Sequence, residues 1–144
     1  MGYTRPPEGW WKEFVGALPA RTGKLAVVRK DGSPHVVPVW VDVDGDDLVF
    51  MTGKDTVKGK AIGRDGRVAV CFDNELPPFD FVTVFGRASV EDDPETLLRW
   101  GTRIGRRYMG EELAEEYGRR NAVPGEWLVR VRVEKVIGAR EVAN

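Results

Sequence analysis

The stretch LVFMTGKDTVKGKAIGRDGRVAVCFD, residues 48–73, decides how the rest of the chain is read. Leu48–Met51 and Val68–Phe72 are short apolar runs of β-branched and aromatic residues, the pattern of strands. Between them Asp55 is placed to cap a helix, and Thr56–Ile62 supplies about two helical turns. Gly63 and Gly66 are expected to close that helix and turn the chain. Lys54, Lys58 and Lys60 crowd the helix start. A helix N-terminus carries partial positive charge, so lysines there are mildly unfavourable unless an anion lies between them. Two readings fit. A phosphate is held by backbone N–H groups, the hydroxyls of Thr52 and Thr56 and the lysine ammonium groups, or the lysines are solvated and balanced by Asp55 and Asp65.

Upstream, Lys24–Arg29 reads as a strand and Lys30–Ser33 as a turn. Pro34–Val43, PHVVPVWVDV, is a second strand with His35, Val37, Val39, Val41 and Val43 on one face and Val36, Pro38, Trp40 and Asp42 on the other. Pro38 has no N–H to give a ladder. It marks an edge or bulge, or a place where a flat ligand ring lies against Pro38 and Val39. Asp44–Asp46 turns the chain into the strand at Leu48. Before all this, Glu8–Leu18 forms a helix whose apolar residues Trp10, Phe14 and Leu18 recur every fourth position, with Val15 beside them. It packs on the body or on a second subunit, since it lacks the basic face of a membrane anchor.

Downstream, Phe79–Val90 is a strand apolar on both faces, expected to be central and doubly covered. Asp93-Pro94-Glu95 starts a helix with the apolar stripe Leu97, Trp100, Ile104 and Tyr108, and Arg99, Arg103, Arg106 and Arg107 lie off that stripe. Glu111–Arg120 is a further helix. In the last strand Trp127, Val129, Val131 and Val133 alternate with Leu128, Arg130, Arg132 and Glu134, giving one buried and one mostly charged face. Six strands joined by short connections predict a mainly β (α+β) fold, a six-stranded antiparallel barrel with flanking helices. The organisation expected is one domain over 1–144: a lead-in and helix to 22, barrel strands over 23–91, helices over 94–121 and the last strand over 126–138.

Composition narrows the function. With 144 residues there is room for one proper core, and a net charge of −1 gives no general attraction to nucleic acid or anionic membrane. No apolar run reaches transmembrane length and no signal-peptide pattern opens the chain. Cys71 stands alone, which excludes an internal disulfide and fits a reducing cytoplasm. One His, His35, and one Cys cannot build the usual structural zinc sites, and no EF-hand loop, P-loop, G-x-S-x-G, H-E-x-x-H or G-x-G-x-x-G occurs. No metal is expected.

The run DGSPHVVPVWVDVDGDDLVFMTGKDTVKGKAIGRDGRVAVCFD resembles the split-barrel, pyridoxamine-phosphate-oxidase-like superfamily, the FMN-binding split-barrel type. SPHVVPVWV followed by TGKDTVKGKAIGRDGRVAVCFD is most similar to its flavin/deazaflavin oxidoreductases that use coenzyme F420, and RRYMGEELAEEYGRRN and VRVRVEKVIG resemble that branch as well. The likeness spans residues 23–138. The Arg/Lys cluster of the FMN oxidases proper is not evident. The resemblance implies a homodimer with cofactor sites at its interface. It implies a phosphate clamp at Thr52, Lys54, Thr56 and Lys58, with the tricyclic ring against His35, Val37, Pro38, Val39 and Trp40.

That resemblance implies a hydride transferred between reduced F420 and an unsaturated organic acceptor, a small-molecule substrate. By type, His35 and Tyr108 can donate a proton, yet each also reads as a packed side chain, and solvent is a third source. Arg103, Arg106 and Arg107 either meet the acidic oligoglutamate tail of F420 or pair with Glu111, Glu112 and Glu115. The alternatives are an FMN-dependent oxidase or reductase on the same fold, and a non-catalytic protein that holds F420 or a flavin.

Overall fold

The computed structural model describes residues 4–143. The chain runs through α1 (Trp10–Gly16), the hairpin β1 (Gly23–Val28) and β2 (Pro34–Val39), then β3 (Val41–Asp44) and β4 (Asp47–Gly53). There follow α2 (Val57–Arg64), β5 (Arg67–Asp73), β6 (Phe81–Glu91), α3 (Pro94–Met109), a 3-10 turn at Glu111–Leu113, α4 (Ala114–Asn121) and β7 (Glu126–Ala139). The strands form one antiparallel sheet in the order β2-β1-β5-β6-β7-β4-β3.

β2 and β3 lie at opposite edges of this sheet, yet only Trp40 separates them in the chain. The sheet therefore curls until its two edges meet at Trp40, which makes a split barrel. The strand expected over 34–43 is thus two strands, because its first half pairs with β1 and its second with β4. The architecture is the expected one, with seven strands in place of six.

Inward-facing Leu25, Val41, Leu48, Phe50, Val70, Phe72, Val82, Val84, Val129 and Val131 fill the barrel. Trp11, Phe14 and Val15 of α1 join that core. α1 ends at Gly16, so Leu18 falls outside it and stands 71% exposed rather than completing a stripe. α3 covers the opposite faces of β4 and β7 through a second cluster of Val49, Leu97, Trp100 and Leu128. That is why Leu128 and Val129 are both buried, where alternation predicted one buried face. β6 differs the other way. It is central, but only Val82, Val84 and Gly86 are buried, and Phe85 on its outer face is 36% exposed. An apolar pattern states that a face wants cover, not that the same chain supplies it.

α3 starts as the sequence predicts, with Asp93 accepting a 3.0 Å bond from the Thr96 N–H and Pro94 at the first position. It crosses α4 at glycines. A Cβ on Gly118 would sit 3.1 Å from Thr102 Cα, and one on Gly101 would sit 3.3 Å from Gly118 Cα.

Candidate functional site: a basic strand–helix turn beside a pocket

β4 delivers the chain to the turn that the sequence singled out. Thr56, not Asp55, caps α2: its Oγ accepts from the Gly59 N–H at 3.1 Å and donates to the Gly53 carbonyl at 2.8 Å. Both residues are capping types, and the spacing to Gly59 decides between them. Gly59 lets the helix start rest on the end of β4, since a Cβ there would lie 2.2 Å from the Gly53 oxygen. Buried Thr52 places its Oγ 3.0 Å from Thr56 Oγ. The two hydroxyls thus build the turn. Helix geometry leaves the Val57 and Lys58 amides without intrahelical acceptors. No acid occupies the first turn, and Lys58 does. At the far end Gly63 lies inside the helix against Trp127, and closure falls to Asp65, whose N–H reaches the Ala61 carbonyl. The Arg67 guanidinium grips the Asp65 carboxylate and holds its pKa down at about 2.

Beside the turn is a cavity of about 210 Å³ lined by Pro38, Val39, Trp40, Met51, Lys58, Gly101, Ile104, Asn121 and Glu126. It brings the second strand and the basic turn together. His35 and Val37 lie away from it. His35 is half-buried on β2 with Nδ1 3.1 Å from Arg29 Nη2, and Val37 packs against the barrel core. Trp40 is stacked on Tyr108 with ring centroids 5.1 Å apart, and Tyr117 leans on it at 5.7 Å. Tyr108 Oη donates to the Arg21 carbonyl at 2.6 Å and accepts from the Val41 N–H at 3.0 Å, and burial pushes its pKa up.

The arginines divide. Arg107 donates to the carbonyls of Val15, Gly16 and Val41, so it holds the end of α1. Arg103 lies 3.6 Å from buried Asp42 and over the Trp100 ring. Arg106 is exposed and paired with Glu111.

The residue the sequence reading passed over is Glu126. The register of β4 and β7 sets it opposite Gly53, and the Gly125 carbonyl accepts from the Lys54 N–H at 2.9 Å. Its half-buried carboxyl lines the cavity and has no hydrogen-bond or ion-pair partner among the described residues. Burial raises its pKa, against a downward pull from Lys58. As the first residue of a strand it carries no local signal. Only the β4–β7 pairing reveals it.

A curled antiparallel sheet closed at Trp40, with a basic strand–helix turn opening on a pocket, defines a split-barrel protein. The chain belongs to the pyridoxamine 5'-phosphate oxidase family, whose model matches residues 11–139. No curated protein matches the sequence. Among solved structures, a conserved hypothetical protein of Mycobacterium tuberculosis is similar at 24% identity and a TM-score of 0.80, over 94% of this chain and 86% of that one. An F420 reductase is similar at 26% identity and a TM-score of 0.70, over 92% of this chain and 98% of that one. A FAD-binding protein of Mesorhizobium loti is similar at 22% identity and a TM-score of 0.67, over 96% of this chain and 98% of that one. Among the described residues no helix is long and apolar enough to cross a membrane.

Proposed function

We propose that the chain is an oxidoreductase that uses coenzyme F420 and transfers a hydride between the reduced coenzyme and an unsaturated organic acceptor. The observation that carries this is the meeting of Lys58 with Pro38, Val39 and Trp40 around one cavity. The donor set suits the group. A lysine in an acid-free first helical turn, with two open amides and Lys54 beside it, matches a phosphate. Pro38 offers a flat edge with no N–H, and Trp40 is held rigid by its two tyrosines, which suits the ring. The coenzyme would supply the two electrons as hydride; the protein binds, orients and shields it from water. In this reading Lys54 and Lys58 meet the phosphate, while Thr52 and Thr56 shape the turn. Arg106, whose single ion pair is exposed, is the cation most able to exchange Glu111 for the acidic tail of F420. The likeness to an F420 reductase supports the choice of coenzyme.

A cavity of about 210 Å³ is small beside the roughly 300–1,000 Å³ of cofactor pockets. A second copy of the chain would complete it. The outer sheet face has room for one: Val36, Ala26, Ala69 and Phe85 form a single cross-strand row over four strands, with Val36 64% exposed. FMN also carries a phosphate, and the turn by itself suits either group, so an FMN enzyme or a non-catalytic carrier is the competing reading. Parallel titration with F420 and FMN tests it. Micromolar or tighter F420 binding with much weaker FMN binding is expected. The reverse preference moves the protein to FMN, and F420 binding without turnover of any acceptor makes it a carrier.

A further inference from the structure

Adding a hydride to an activated double bond leaves an electron pair on the far atom, which must take up a proton. Neither sequence candidate is placed to give it. His35 does not line the cavity, and the Tyr108 hydroxyl already donates to one backbone group and accepts from another. We propose that Glu126 is the catalytic acid of this pocket, giving its carboxyl proton to the acceptor as the hydride arrives. The inference rests on the oxidoreductase reading above.

Three features of the site carry it. Glu126 faces the same cavity as Trp40 and Lys58, so its carboxyl meets whatever occupies that space. It is unpartnered: no hydrogen bond or ion pair within the described chain uses its oxygens. No group among the described residues therefore competes with a ligand in the cavity for its carboxyl oxygens. The backbone that carries it is held in place by the Gly53 register, the Lys54–Gly125 bond and its own N–H to the Val123 carbonyl at 3.1 Å. Burial raises the Glu126 pKa, against the pull of Lys58, which is the direction that favours a proton donor.

The surroundings set the direction of transfer. Of the lining groups, Lys58 from α2 is the charged one facing Glu126, and Asn121 at the end of α4 is neutral. β2, β4 and α3 contribute Pro38, Val39, Met51, Gly101 and Ile104, which do not titrate. In the step, hydride forms a C–H bond at the electron-poor carbon. The π pair moves to the far atom and takes the Glu126 proton. A carboxylate would remain on Glu126, and solvent would return its proton.

The test compares wild type, Glu126→Gln and Glu126→Asp. In cofactor-free protein, carbon-13 NMR should show one carboxyl, missing in Glu126→Gln, that titrates above the exposed glutamates and moves higher still in Lys58→Ala. Reduced F420 and a panel of conjugated enones and enoate esters are then supplied, with F420 at saturation for each variant so that the rate is read separately from affinity. The single-turnover rate of Glu126→Gln should fall by about 100-fold and lose the alkaline limb of the pH profile, and Glu126→Asp should recover part of both. A Glu126→Gln variant with the wild-type rate and pH profile overturns the proposal while leaving the oxidoreductase reading intact. An ordinary titration of Glu126 overturns it likewise. Wild type that binds F420 but turns over no acceptor removes the oxidoreductase reading, and the acid with it.

Discussion

At the scale of single residues, the same chemistry is used in two ways, and sequence alone does not separate them. Lys58 and Thr56 looked like equal partners of an anion. The hydroxyl of Thr56 is consumed by Gly53 and Gly59, whereas Lys58 lines the cavity with no such bond among the described residues. Lys58→Ala should therefore weaken F420 binding by about 1–3 kcal/mol, the scale for losing a charge-assisted partner, as read by titration. Tyr108 was legible as a stripe residue; that it ties Val41 to Arg21 was not, because both partners are backbone groups more than sixty positions away. Tyr108→Phe leaves a part-buried N–H and C=O unpaired and should cost about 1–3 kcal/mol in urea denaturation. Glu126 gives a pH signature. Its folded carboxyl holds a proton more tightly than the unfolded one, so stability falls as pH rises from the ordinary glutamate range through the raised folded value. Glu126→Gln should abolish that fall, measured as the difference between its stability and that of wild type as pH is raised from the ordinary glutamate value of about 4.3.

Elements were legible wherever period and cap agreed. α3 follows its Asp93-Pro94 start and its stripe, and α2 sits where its lysines and glycines put it, one residue later than Asp55 implied. α1 was overextended because a four-residue spacing continues past Gly16 on paper, while the chain itself turns extended at Ala17. What no element pattern carried was how closely α3 and α4 meet. Their crossing uses glycine backbone, which leaves no hydrophobic signal. Gly118→Val should push the helices apart and destabilise the fold by about 1–3 kcal/mol, the usual range for overpacking. A matching loss of F420 affinity would follow, since Gly101 and Ile104 of α3 line the cavity.

For the whole molecule, the barrel was legible from strand count and short connections, but the split at Trp40 was not, since nothing in PHVVPVWVDV says that its halves have different neighbours. Nor could the sequence say that the outer face of β6 stays open within one chain. Its open row makes a prediction about assembly. Val36→Asp combined with Phe85→Asp should leave the monomer folded, because both side chains are already exposed, and should shift a dimer to monomer in analytical ultracentrifugation.

The strand order also bears on the time course of folding. β1–β2, β3–β4 and β5–β6 pair across short connections, whereas β4 must find β7 across α2, two strands and two helices. Closing so long a loop is entropically slow, so this ladder is expected among the last contacts to form. It is the same ladder that sets Gly53 against Glu126 and ties Lys54 to Gly125. A half-folded chain with its local hairpins made would have no pocket at all. Ligand-binding competence should therefore appear only once this ladder has formed.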